Sequence, residues 1–132
     1  TVILPDHTPN FGGEMIPYFG IPLATSNLSA KLIQKTKAKT LFLYAMRNDD
    51  HGFDMHIEPI DDRIYQGNPN QGTAVILAAI ENLIRRYPEH YHWSYKRFKA
   101  NPALDHLYHL NTDEALKLVE DVRRQDAQTK II

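Results

Sequence analysis

The 132-residue sequence contains no cysteine, which excludes disulfides and every zinc site that needs a thiolate ligand. It has no surplus charge of either sign, with 15 Lys and Arg against 16 Asp and Glu, so no global field draws it to nucleic acid or to an anionic bilayer. Any basic partner site must be local. Long apolar runs are missing as well: the longest, Ala74 to Ile80, falls far short of the roughly 18 residues a membrane span needs, and no signal-peptide pattern opens the chain. The piece as given is therefore expected to be water-soluble. Its 42% hydrophobic residues suffice for one α/β unit with a real core, and with no repeat or interdomain linker in view residues 1–132 read as a single unit.

Thr1-Val2-Ile3-Leu4, ending at Pro5, reads as the last strand of something already under way, so the chain is expected to be a fragment. The density of Gly and Pro from Pro5 to Pro22 predicts a loop with no regular element. A helix is expected over about 28–37, capped by Ser26 or Asn27, with Leu28, Leu32 and Ile33 on one face. Thr40 to Met46 is apolar on both faces, as a central strand buried between layers would be. Turn chemistry at Asn48 to Gly52 and alternation from Phe53 to Glu58 then predict a hairpin with one wet strand. Asn68 to Gly72 punctuates the chain. Thr73 begins the clearest helix, which sets Ile76, Leu77, Ile80, Leu83, Ile84 and Tyr87 on one face until Pro88 stops it. A last helix starts from an Asn111 or Thr112 cap with Leu116, Val119 and Val122 inward, and the tail 126–132 is expected to be loose.

Two places can carry chemistry. Asp6 and His7 follow the opening run directly, where an open α/β sheet keeps its ligand crevice, and a short acid there can orient a base or accept from a substrate hydroxyl. The bland alternative is an Asx turn over Pro5 to Thr8. The second place is Arg85 to Lys99, where Tyr91, Trp93, Tyr95 and Phe98 interleave with Lys96, Arg97 and Lys99. Rings beside cations suit a phosphate next to an apolar group, or stacked bases; the same rings can equally be core anchors under a solvated rim. His90 with His92, and His106 with His109, could share a face, but no carboxylate completes a metal site. His56 to Asp61 and His109 to Glu114 match a His-x4-acid spacing without the turn that would bring the two groups together.

The string Tyr87-Pro-Glu-His-Tyr-His-Trp-Ser-Tyr-Lys-Arg-Phe-Lys99, with Asn101-Pro102 beyond it, resembles the C-terminal signature of the late acyltransferases of bacterial lipid A biosynthesis, the lauroyl and myristoyl transferases. Leu4-Pro5-Asp6-His7, the following Gly12, and Ile16 to Thr25 resemble the same family's third acyltransferase block, in which an aspartate precedes a Pro-Phe-Phe-Gly-like turn. The chain departs from the common pattern at Thr8-Pro9-Asn10 and at Ser94-Tyr95.

That resemblance implies a glycerolphosphate-acyltransferase-like α/β sheet flanked by helices, of which this chain would be the C-terminal portion. It implies transfer of a fatty acyl chain from acyl carrier protein to a phosphorylated lipid A precursor at the cytoplasmic face of the bacterial inner membrane, with no metal, cofactor or nucleic acid. The membrane anchor and the His-x4-acid half that supplies the base would lie outside the chain, leaving the fragment inactive alone. The family's catalytic-site aspartate falls on Asp6, with His7 beside it; substrate contacts fall on Arg47, Trp93, Arg97 and Lys99. The rival reading is a non-catalytic module that binds phosphate-bearing ligands, RNA or phospholipid headgroups, through Arg85 to Lys99.

Overall fold

A computed structural model describes residues 1–10 and 12–129. It is α/β, with two small antiparallel sheets and helices packed around them.

The first correction concerns the Gly- and Pro-rich segment, which forms a hairpin of β1 (Glu14–Tyr18) and β2 (Ile21–Thr25). Pro17 sits opposite Pro22 in the register. Each strand has an edge that needs no amide donor, so proline is tolerated here as it would not be in a central strand. The loop between the strands is Phe19-Gly20, both residues in the left-handed region (φ 50° and 73°), the twist that a two-residue hairpin connection favours. Glycine adopts this freely, whereas Phe19 is held there. Its N–H donates to Glu81 (2.7 Å), its carbonyl accepts from Arg123 (2.9 Å), and Arg85 lies over its ring.

Alternation along this hairpin turns Ile16, Tyr18, Ile21, Leu23 and Thr25 inward. They meet helix α2 (Pro69–Arg86), whose buried stripe is Ile76, Leu77, Ile80 and Ile84. Helix α2 starts four residues before Thr73 because Asn68 and Gln71 form a reciprocal capping box and Pro69 takes the first helical position. Gly72 lets α1 (Leu28–Thr36) approach; a Cβ there would come within 2.8 Å of Gln34 and 3.1 Å of Ala30. Helix α3 (Thr112–Thr129) closes the core with Val122, while Leu116, expected inward, is exposed. The tail expected to be loose from Asp126 is helical as far as Thr129; its remainder lies outside the described residues.

Two further expectations fail. Residues 1–4 form no strand, having no partner to pair with among the described residues. The run from Thr40 supplies β3 (Leu41–Arg47), which pairs with β4 (Phe53–Pro59) as predicted, but this is a separate two-stranded sheet and not a buried central one. Its partly buried face carries Phe42, Tyr44, His56 and Glu58, and its apolar face is open.

Candidate functional site

The loop after residue 4 and the segment from Tyr87 to Lys99 meet in space. The Nε of Arg97 donates to Asp6 Oδ1 (3.2 Å), and the Tyr91 hydroxyl donates to Asp6 Oδ2 (2.8 Å), residues 91 and 85 positions apart in the chain. The Thr8 N–H donates to the Tyr95 hydroxyl (2.8 Å), and the His7 ring lies 5.3 Å from that of Tyr95. Both oxygens of Asp6 are therefore engaged, one by a guanidinium and one by a phenol.

Arg97 is 1% exposed, and its remaining bonds explain how such a group can be buried. Nη1 donates to the Ala24 carbonyl (3.2 Å) and Nη2 to the Thr25 hydroxyl (2.8 Å), which itself donates to the Leu23 carbonyl. The Tyr18 ring lies under the guanidinium at 5.8 Å. Asn101 repeats the arrangement one turn on, its amide donating to the Pro22 carbonyl (2.9 Å). The C-terminal signature is thus seated on β2, and Asp6 is drawn onto it by charge.

Burial pushes the Tyr91 hydroxyl well above the usual tyrosine range, helped by its bond to Asp6 and by that carboxylate's charge. Burial likewise raises Tyr18, with the Asp6 charge adding to it against the opposing effect of Arg97. Both are neutral phenols at any physiological pH and neither is a base; Tyr91 acts as the donor to Asp6. The Tyr18 hydroxyl is buried beside Tyr91 without meeting a hydrogen-bond partner among the described residues, and the Thr8 hydroxyl is in the same state. Leu4, Pro5, Asp6, His7, Tyr91 and Tyr95 line an open cleft of about 220 Å³ above this cluster. Its lining is mostly apolar, with the imidazoles of His7 and His92 and the one carboxylate of Asp6 among it.

Of the residues singled out in the sequence, Asp6, His7 and Arg97 come together. Trp93 stands next to them, edge-on to Tyr91 at 4.9 Å, with its indole N–H on the Pro88 carbonyl (2.7 Å) and its ring mostly exposed. Lys99 is exposed on the short 3₁₀ turn that begins at Arg97. Arg47 lies at the end of β3, over the Phe53 ring, away from the cluster. In the sequence Tyr91 is one aromatic among several in the Arg85 to Lys99 segment, and Tyr18 and Thr25 are only part of the Ile16 to Thr25 block; no local spacing connects them to Asp6, and only the packing does. The His-x4-acid pairs stay apart, Asp61 being taken up by Arg63 and Glu114 by the Asn111 N–H. Among the described residues no group of three His, Asp or Glu side chains could hold a metal. No helix is long and apolar enough to cross a membrane, again among the described residues.

Two motifs from opposite ends of the chain thus close on one carboxylate. The chain belongs to the bacterial lipid A biosynthesis acyltransferase family, whose model matches residues 1–100. It is 32% identical over 94 residues to the lipid A biosynthesis palmitoleoyltransferase of Escherichia coli strain K12, and equally so to the lipid A biosynthesis acyltransferase of Shigella flexneri. Each comparison covers 70% of this chain and 30% of the relative, so the chain spans under a third of the length of these curated relatives.

Proposed function

We propose that this chain is the C-terminal portion of a lipid A biosynthesis acyltransferase with a glycerolphosphate-acyltransferase-like sheet. The whole enzyme moves a fatty acyl group from acyl carrier protein to a hydroxyl of a phosphorylated lipid A precursor, at the cytoplasmic face of the bacterial inner membrane. The observation that carries this reading is the Asp6–Tyr91–Arg97 cluster, which joins the two motifs of the family match into one cleft wall.

In this proposal the base that takes the acceptor hydroxyl's proton comes from a His-x4-acid half outside these residues, so the chain alone does not turn over. Asp6 fixes the wall of the crevice against which the acceptor is held. His7 and Trp93 stand at its rim, and Lys99 and Arg47 meet acceptor phosphates or the acidic carrier. Arg97 contributes through Asp6, because its guanidinium is sealed from solvent. A shared cationic face over Arg85 to Lys99 gains no support: Arg85 pairs with Glu81, Arg86 with Glu58, and Arg97 is internal.

The test is acyl transfer from labelled acyl carrier protein to a lipid A precursor, using membranes that contain the longer gene product. The Asp6→Ala form and the 132-residue chain run alongside. Transfer by the longer polypeptide, lost in both comparators, is expected. Full turnover in Asp6→Ala would remove Asp6 from the site, and no transfer by the longer polypeptide with any acyl donor would defeat the enzyme reading.

A further inference from the structure

The β3–β4 hairpin carries its hydrophobic residues on the wrong side for a protein surface. Leu41, Leu43, Phe53, Met55 and Ile57 are between 47% and 64% exposed, and the register puts Leu43 opposite Ile57 and Ala45 opposite Met55. They form one continuous apolar face. The opposite face is the one turned to the body, where Phe42 packs against the core and Glu58 is bridged by Arg86 at 3.2 Å. The outer edge of each strand is also without a strand partner among the described residues. A two-stranded ribbon with an open apolar face and two open edges is marginal in water and prone to self-association.

We infer that this face is an intramolecular seam, covered in the whole protein by a segment of the same polypeptide that lies outside residues 1–132. The first argument is length. The curated relatives are more than three times as long as the stretch matched here, which leaves ample chain to supply a second covering layer. The second is pattern: an antiparallel pair ordinarily keeps its apolar side on a core and its polar side in water, and here the more apolar side, Leu41, Leu43, Phe53, Met55 and Ile57, is the open one. The third is what the alternative requires. A second copy would have to cover roughly 800 Å² of accessible surface on each partner, and five side chains only 47% to 64% exposed on two seven-residue strands leave little margin to supply it from this hairpin alone. The inference shares with the proposed function the premise of a longer polypeptide, but it does not depend on catalysis.

Met55 is a natural probe of the seam. In the longer gene product, folded and without substitution, its oxidation by dilute peroxide should run at least about tenfold slower than in the same protein unfolded in urea, read by peptide mass spectrometry. An oxidation rate within about twofold of the unfolded one would overturn the inference. The occupant is identified by placing a photo-reactive benzoylphenylalanine at position 57 of that polypeptide. An adduct to a peptide of the same chain outside residues 1–132, at unchanged monomer mass, is the expected result. A product of doubled mass, a lipid adduct, or no adduct beside a fast-oxidising Met55 would each refute it. Since neither readout uses acyl transfer, an inactive enzyme with a protected Met55 would sink the proposed function and leave the seam standing.

Discussion

Replacing Arg97 with Met keeps the length and most of the volume of the side chain while deleting the charge and the guanidinium's bonds to Asp6, Ala24 and Thr25. Removing one partner of a buried ion pair ordinarily costs about 3–5 kcal/mol, because the other charge is left without compensation. The Asp6 side chain is 21% exposed and keeps the Tyr91 hydroxyl, so water and that bond recover part of the loss. The expected cost is therefore at the low end, about 3 kcal/mol. Asp6→Asn removes the complementary charge, and in the double variant neither site holds an uncompensated ion. The double variant should accordingly be more stable than the sum of the two single effects predicts, by about 1–3 kcal/mol. Urea unfolding of the four proteins, followed by tryptophan fluorescence and by circular dichroism, measures the cycle. If Arg97→Met costs less than about 1 kcal/mol, or if the two substitutions add within about 0.5 kcal/mol, the pair does not hold the loop to the hairpin.

Tyr18→Phe deletes a buried hydroxyl that lies beside Tyr91 without a well-formed hydrogen bond, so it should change stability by no more than about 1 kcal/mol, seen as a nearly unchanged Tm. The same residue gives a pH signature: burial raises its folded pKa above the ordinary value of 10.0, so its contribution is complete below pH 10 and declines as rising pH ionises the unfolded chain first. The urea midpoint should fall above pH 10, and less steeply in Tyr18→Phe; a flat midpoint would contradict the assignment. Gly72→Ala should destabilise the α1–α2 junction by about 1 kcal/mol, because its Cβ crowds Ala30 (3.1 Å) and the Ile64 carbonyl (3.2 Å) and displaces the Gln34 amide from its backbone acceptors, which outweighs the helix propensity that alanine adds. Thermal unfolding unchanged by that substitution would show that the helices can separate at no cost.

Where local pattern decides, the sequence was readable. The stripe Ile76, Leu77, Ile80, Ile84 drew α2, and alternation from Phe53 drew the β3–β4 pair. Misreadings fell where context outvotes propensity. Pro17 and Pro22 argued against strands, and only their placement opposite one another in a two-stranded ribbon makes them harmless. Asn68-Pro69-Asn70-Gln71 reads as a turn by its Asn and Pro content, yet the same four residues spell a capping box with proline at the first helical position, a start signal that composition masks. The hairpin's inside and outside could not be told from alternation alone, because Phe53, Met55 and Ile57 look inward-facing to any rule that expects a finished sheet. In the cleft, Asp6 and Arg97 were each noticeable through family resemblance, but their direct pairing was not, and Tyr91 passed as one aromatic among several.

The tie between Asp6 and Arg97 spans 91 positions. Closing a loop of that length in a flexible chain costs about 4 kcal/mol of entropy before any contact repays it. Such a contact is a poor nucleus for folding, which starts from short-range partners such as the hairpins and α2. The clasp is therefore expected to close late, onto a body already formed. Hydrogen exchange at the Thr8 amide, locked onto Tyr95, thus becomes a gauge of the cleft's integrity distinct from the melting of the molecule as a whole.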